Sequence, residues 1–240
     1  MNRSEVHAFK RVTTEWTNLT TSIGRMYQSG AIRPTNPNDI FQPVEGNAAA
    51  PNDATFTIKP IVFNLPELPG GPQNLFIALK GWLSFSDVQP GAGPMKTKSF
   101  GTEMGYFRRR DSRLEHVYGV HFDLDESRPG HPVFHAQVSS QLQLGESVLA
   151  LYRLKDEIVN EFSPKLGNIR IPSAQMDVFS AVVQICADHH FALGGAGAPV
   201  KAEFEKIRKT NSFFLGAAHR MPFLNSQPAS DCYRSAHWYG

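Results

Sequence analysis

The chain has 240 residues, of which 41% are hydrophobic and 11% are aromatic, and its formal net charge at pH 7 is +2. This composition excludes a disordered polypeptide, and the length is sufficient to bury a hydrophobic core, so we expect one domain over residues 1–240. A net charge so close to zero excludes any inference of nucleic-acid binding from charge alone.

Cysteine usage and hydropathy indicate the compartment. Cys186 and Cys232 are the two cysteines and lie far apart, which excludes a disulfide scaffold and predicts a reducing compartment. The first residues lack the apolar core of a secretory signal, and no run approaches the ~20 apolar residues of a membrane span. We therefore expect a cytoplasmic protein with no membrane partner.

The first 53 residues divide into a helical part and a loop. Phe9, Trp16 and Ile23 recur at helical spacing, which predicts an amphipathic helix from residue 3 to about residue 28, within an N-terminal helical region 1–30. Several prolines and asparagines follow over residues 31–53 and predict an extended loop, either a lid or a slack connector.

Alternating apolar and polar residues dominate the next part of the chain and predict an antiparallel sheet over residues 54–142. Turn-forming glycine, proline and aspartate residues separate the runs. The predicted strands cover residues 55–65, 75–85, 99–109, 115–125 and 132–142.

A helical region with a tail is predicted over residues 143–240, and Ser173 is positioned to cap one of its helices. Because strands precede helices without a βαβ rhythm, the fold class is predicted as α+β. We expect a sheet of about five strands, over roughly residues 55–142, with the N-terminal and C-terminal helices packed on one face. The C-terminal helices are expected over residues 146–158, 173–191 and 199–215.

The last two predicted strands form a hairpin rich in histidine and aspartate. Residues 126–130 contain the turn formers, and Phe122 and Phe134 would face the core from adjacent strands. With this turn, the directly opposed pairs would be Asp125 with His131, Asp123 with Val133, and His121 with His135.

The polar face of this hairpin is the candidate catalytic site. Directly opposed side chains stand about 4.5–5.5 Å apart at Cβ, so His121 and His135 could act together, with Asp123 as a diagonal neighbour. Two chemistries remain open: one histidine as acid and the other as base, or a divalent metal ion held by all three side chains. A solvated sheet surface without chemistry is the third alternative.

Basic residues near the hairpin indicate the substrate. Arg108, Arg109 and Arg110 end the preceding strand, and Lys96 and Lys98 come before them. Arginine pairs bidentately with phosphate oxygens, so these side chains predict a rim that binds RNA or a nucleotide. Solubilising charges at a sheet edge are the alternative. On the polar face of the hairpin, His131 and Gln137 complete the set of predicted substrate-binding residues.

Three classes of function remain open. A phosphodiester-directed hydrolase, such as an RNase-like toxin or defence effector, is the leading hypothesis. The alternatives are a non-catalytic subunit or adaptor with a protein partner, and a small-ligand sensor. The sequence contains no P-loop, dinucleotide fingerprint, serine-hydrolase elbow or HExxH helix, which removes the common nucleotide, redox and metalloprotease classes.

The run from Asp188 to His190 is expected to stabilise a helix end through the helix dipole.

Overall fold

The fold comprises one sheet with helices on both of its faces. The computed structural model describes residues 1–26, 30–45, 52–67, 71–91, 93–124, 134–138, 144–155, 157–160, 170–173, 175–191, 198–210 and 214–215. The helices are α1 (Arg3–Met26), α2 (Pro37–Ile40), α3 (Gly145–Tyr152), α4 (Val178–Cys186), continued by a π-helical turn (Ala187–Phe191), and α5 (Ala198–Thr210). The strands are β1 (Ile32–Arg33), β2 (Phe41–Pro43), β3 (Ala54–Pro66), β4 (Gln73–Ser86), β5 (Met95–Arg110), β6 (Arg113–Leu124), β7 (Phe134–Val138), β8 (Glu157–Asn160), β9 (Arg170–Pro172) and β10 (Phe214–Leu215).

The sheet follows the order β1-β3-β4-β5-β6-β7-β9 with antiparallel neighbours. Short strands join at the sides: β2 pairs with β3, while β8 and β10 run parallel to β6 and β5. The α+β class and the antiparallel meander are confirmed. The strand number exceeds the expected five because short strands form in segments that the sequence assigned to loop or helix. No helix of the described ranges is long and apolar enough to cross a bilayer.

The larger core lies between the sheet and α1, α4 and α5, and we call this side of the sheet the main helical face. Trp16 of α1 is fully buried there. Its ring contacts the edges of Phe41 at 5.7 Å and Phe179 at 6.2 Å between centroids. These T-shaped contacts join the first helix, a short strand and α4.

The expectation that all helices pack on one face is wrong. The helix α3 covers one end of the opposite face, which we call the α3 face, where Val148 packs with Phe76, Phe107 and Leu114. The hydroxyl of Tyr152 donates to the backbone oxygens of Gly30 and Val62 at 2.9 and 3.2 Å. Beyond α3, the same face of β4 to β7 carries polar side chains, and the candidate site lies there.

The loop expected over residues 31–53 is largely structured where it is described. Asn36 caps α2 by accepting a hydrogen bond from the backbone N–H of Asn38, and Pro37 occupies the first turn. Proline is favoured at that position because its missing N–H would have no helical partner. Pro37 therefore begins a short helix between two short strands.

The C-terminal region differs from expectation at three boundaries. The helix expected over 146–158 ends at Tyr152 because Arg153 takes a left-handed conformation with φ of 52°, and β8 follows. Asp177 caps α4, whereas the backbone N–H of Ser173 bonds to the oxygen of Phe134. The last expected helix ends at Thr210 and is followed by β10.

Candidate functional site

The register between β6 and β7 determines which polar side chains meet. Asp123 lies opposite His135, and His121 lies opposite Gln137. The expected direct opposition of His121 and His135 is wrong by two residues, because His135 pairs with the residue two positions further along β6. A shift of two residues keeps every side chain on its face because strands alternate with period two. The expected turn and His131 lie outside the described residues.

The carboxylate of Asp123 contacts both histidines. Its Oδ2 lies 2.7 Å from Nε2 of His121, and its Oδ1 lies 2.7 Å from Nε2 of His135. The two imidazole rings stand 6.3 Å apart between centroids. The cluster of His121, Asp123 and His135 predicted from the sequence therefore forms, with aspartate between the histidines.

The two histidines differ in access to solvent. The side chain of His121 is 39% exposed and that of Asp123 24%, whereas the side chain of His135 is 3% exposed. A substrate can therefore reach His121 but not His135. His135 is a buried partner of Asp123, and His121 is the histidine of this cluster that faces solvent.

The ionisation of Asp123 is set by these contacts. Partial burial alone raises the pKa of the carboxyl group, but hydrogen bonds from His121 and His135, and their charge, lower the pKa well below its ordinary value. Asp123 is therefore ionised at neutral pH. An ionised carboxylate fixes the orientation of the imidazole that it contacts and stabilises its protonated form.

The metal alternative does not fit this geometry. A metal site needs several donor atoms directed at one point about 2.0–2.2 Å away, whereas here the Nε2 atoms approach different oxygens of one carboxylate. Within the described ranges, no three His, Cys, Asp or Glu side chains are arranged to hold a metal ion. The two imidazoles contact the carboxylate itself and do not converge on a shared point.

A row of polar side chains crosses the sheet beside the cluster. Lys80 of β4 lies opposite Glu103 of β5, which lies opposite His121, which lies opposite Gln137 of β7. The ammonium group of Lys80 lies 3.1 Å from a carboxylate oxygen of Glu103. Sequence reasoning did not assign Lys80 or Glu103 to the site. The strand alternation places both on this face only once the registers of β4 with β5 and of β5 with β6 are known.

Trp82 provides an exposed aromatic surface in the next row. It lies opposite Gly101, which lies opposite Asp123. A Cβ atom on Gly101 would come within 2.4 Å of Nε1 of Trp82, so the indole extends across the glycine towards β6. The residue is 39% exposed. The flat ring and the His121–Asp123 pair therefore share one surface.

The arginines lie elsewhere. Arg108 is seven residues along β5 from Gly101, about 23 Å at ~3.3 Å per residue. Its side chain projects from the main helical face and contacts Glu67, and Arg110 lies 3.1 Å from Glu115. Arg109 is exposed at the same end. The structure does not bring these three predicted substrate-binding residues to His121.

The upstream lysines lie at the opposite end of β5 from the arginines. Lys96 lies 3.5 Å from Asp87, and Lys98 lies 2.6 Å from Asp53. The expectation of one continuous basic rim is therefore wrong. The sequence pattern grouped these cations because it did not show that β5 is sixteen residues long.

Comparison with known proteins adds no assignment. No protein-family model matches the chain, and no curated protein or solved structure is significantly similar to it.

Proposed function

We propose that the polar part of the α3 face is an RNA-cleaving site that works by general acid–base catalysis at His121. The observation that carries this proposal is the 2.7 Å contact between His121, which is partly exposed, and the ionised Asp123. Oriented imidazole is the commonest proton-transfer group in enzymes near neutral pH.

The reaction uses the 2′-hydroxyl of RNA as the nucleophile. Glu103 takes the proton from this hydroxyl while its oxygen forms a bond to phosphorus. The bond from phosphorus to the 5′-oxygen breaks, and protonated His121 gives its proton to that oxygen. The products are a 2′,3′-cyclic phosphate and a free 5′-hydroxyl. Glu103 and His121 are directly opposed, which places an acid and a base about 4.5–5.5 Å apart at Cβ.

Neighbouring side chains supply binding and orientation. Lys80, which pairs with Glu103, would attract the phosphate, and Trp82 would stack on a base. Asp123 and His135 are positioning residues because they act through His121.

An RNase of this kind would act on cytoplasmic RNA as a toxin or defence effector. Cys186 is a buried thiol, which is compatible with that reducing compartment.

The test is cleavage of an oligoribonucleotide and of the DNA oligonucleotide of the same sequence, with EDTA present. We expect cleavage of the RNA alone, and a loss of about 100-fold or more in rate for His121→Gln and for Glu103→Gln. Controls with the same chemical change outside the site are His7→Gln on α1 and Glu115→Gln at the far end of β6, which should keep full activity.

Each other outcome contradicts the proposal in a specific way. Equal cleavage of DNA contradicts the role of the 2′-hydroxyl. Binding of RNA without cleavage favours a non-catalytic subunit. Activity that survives His121→Gln would arise from another site or from a contaminant.

A further inference from the structure

A separate cavity lies on the main helical face, opposite the face that carries His121. Its volume is about 600 Å³, and it lies between the sheet and the end of α4 with its π-helical turn. Small-molecule sites commonly have volumes of about 300–1,000 Å³. Neither the His121 cluster nor the proposed cleavage uses this cavity.

The sheet side of the cavity is apolar with aromatic walls. Met104, Val120 and Phe122 line it together with Tyr106 and Tyr118. The two tyrosine rings stand 6.1 Å apart between centroids and are tilted by 60°. Aromatic rings in this arrangement accept a further flat ring through edge and face contacts.

The two charged side chains that line the cavity neutralise each other. Arg108 and Glu67 both line the cavity and form an ion pair with each other. A charged ligand would have to separate this pair or leave its own charge against the apolar wall, and a buried unpaired charge is costly. An uncharged ligand meets neither cost.

The π-helical turn adds neutral polar groups. His189 of this turn stands 6.2 Å from Tyr106 between ring centroids, and Gln184 of α4 also lines the cavity. Burial lowers the pKa of His189, although Asp188 opposes this, so the imidazole offers a neutral donor and acceptor. Burial, Asp188 and Tyr118 raise the pKa of Tyr106 to about 12, which keeps its hydroxyl as a donor. Single π-helical turns inside helices are frequent at functional sites.

We propose that this cavity binds an uncharged, planar aromatic small molecule, which packs against the rings of Tyr106 and Tyr118 and bonds through its polar edge to Gln184 and His189. The turn that carries His189 would form one wall of this binding site.

The test uses two fluorescent probes of similar ring structure. N-phenyl-1-naphthylamine is uncharged, and 8-anilinonaphthalene-1-sulfonate carries a sulfonate. Titration of the full chain should give saturable, single-site enhancement with the uncharged probe and at least about tenfold weaker binding of the sulfonate. Equal or tighter binding of the sulfonate would overturn the assignment of an uncharged ligand.

Two variants locate the bound probe. Tyr118 and Trp82 are aromatic residues of nearly equal exposure, 38% and 39%, on opposite faces of the sheet. Tyr118→Ala should weaken binding of the uncharged probe about three- to tenfold, the energy of one aromatic pair, whereas Trp82→Ala should leave it unchanged. Equal effects of the two variants, or no saturable binding by the folded protein, would refute the site. RNA cleavage is not used in this titration, so it is independent of the proposed function.

Discussion

Asp123 holds two histidines of unequal accessibility, because each of its carboxylate oxygens lies 2.7 Å from the Nε2 atom of one histidine. The side chain of His121 is 39% exposed, whereas that of His135 is 3% exposed. The arrangement gives each residue a separate task. His121 faces the solvent, His135 anchors the carboxylate from inside, and Asp123 connects them.

Removing the charge of Asp123 should change both stability and its pH dependence. We expect Asp123→Asn to lower the free energy of unfolding at neutral pH by about 1.5–3 kcal/mol, the range for hydrogen bonds to charged groups. Because the pKa of Asp123 is below its ordinary value of 3.8 in the folded state, the unfolded chain binds the proton first as the pH falls. The stabilisation is therefore complete well above that value and is lost below it.

Urea unfolding from about pH 6 to about pH 3 measures this effect, and the wild type should lose more stability over that interval than Asp123→Asn. Asp111→Asn is the matched control, since Asp111 is an exposed turn residue with φ of 54°, a conformation that asparagine also accepts. Identical pH dependence of wild type and Asp123→Asn would show that the carboxylate has no depressed pKa.

Alanine substitutions of the two histidines should have different effects on RNA cleavage and on the free energy of unfolding. His135→Ala should cost about 2–4 kcal/mol of unfolding free energy, because it leaves a cavity and an unpaired carboxylate oxygen in a buried place. His121→Ala should cost less than about 1 kcal/mol while abolishing cleavage. Denaturant unfolding and the RNA assay, run on the same preparations, measure both quantities. A larger stability loss for His121→Ala than for His135→Ala would reverse the assignment of roles.

Gly101 should be required for the position of Trp82. Gly101→Ala would place a Cβ atom 2.4 Å from Nε1 of the indole, so we expect a loss of about 1–3 kcal/mol from overpacking. In a Trp82→Ala background the same change should cost much less, because the clashing ring is gone. A double-mutant cycle measured by urea unfolding gives the coupling energy. A coupling near zero would mean that the indole does not cover the glycine.

Asp177 should be a stability residue unrelated to the site. Its Oδ1 accepts the backbone N–H groups of Phe179 and Ser180, and its Oδ2 accepts from Gln175 and from the Ser180 hydroxyl. Asp177→Ala should cost about 2 kcal/mol, at the upper end for an N-cap, because these donors are buried. Burial raises the pKa of Asp177 despite these bonds, so the neutral Asp177→Asn should cost less. Thermal unfolding of both variants checks the order, and equal losses would contradict it.

The sequence alone predicts which side chains lie on the same face of the sheet, but it does not predict which residues pair across neighbouring strands. Alternation placed His121, Asp123 and His135 on one face, because that placement depends only on residue parity. The register depends on where the chain reverses between the two strands, which alternation does not determine, and Asp123 rather than His121 lies opposite His135. A bulge at Val117, between the pairs of Tyr106 with Tyr118 and Phe107 with His116, is likewise invisible in the pattern.

Long-range partners account for the other differences. Glu103 and Lys80 belong to the site through pairing across three strands, and nothing close in sequence to His121 indicates them. The strand β8 pairs with β6 in parallel. Its apolar residues follow neither the helical nor the strand period, so the sequence pattern does not predict a strand there. Proximity in sequence to the hairpin predicts the arginines at residues 108–110 as site residues, although the sixteen-residue strand β5 carries them away from it.

The most direct test of the central claim uses an otherwise all-DNA oligonucleotide that contains a single ribonucleotide, with the wild type compared against His121→Gln. The wild type should cleave only after the ribonucleotide and leave a 2′,3′-cyclic phosphate there, and His121→Gln should leave the strand intact over the same time. Cleavage at deoxynucleotides, or an undiminished rate in His121→Gln, would contradict catalysis by the histidine that Asp123 holds.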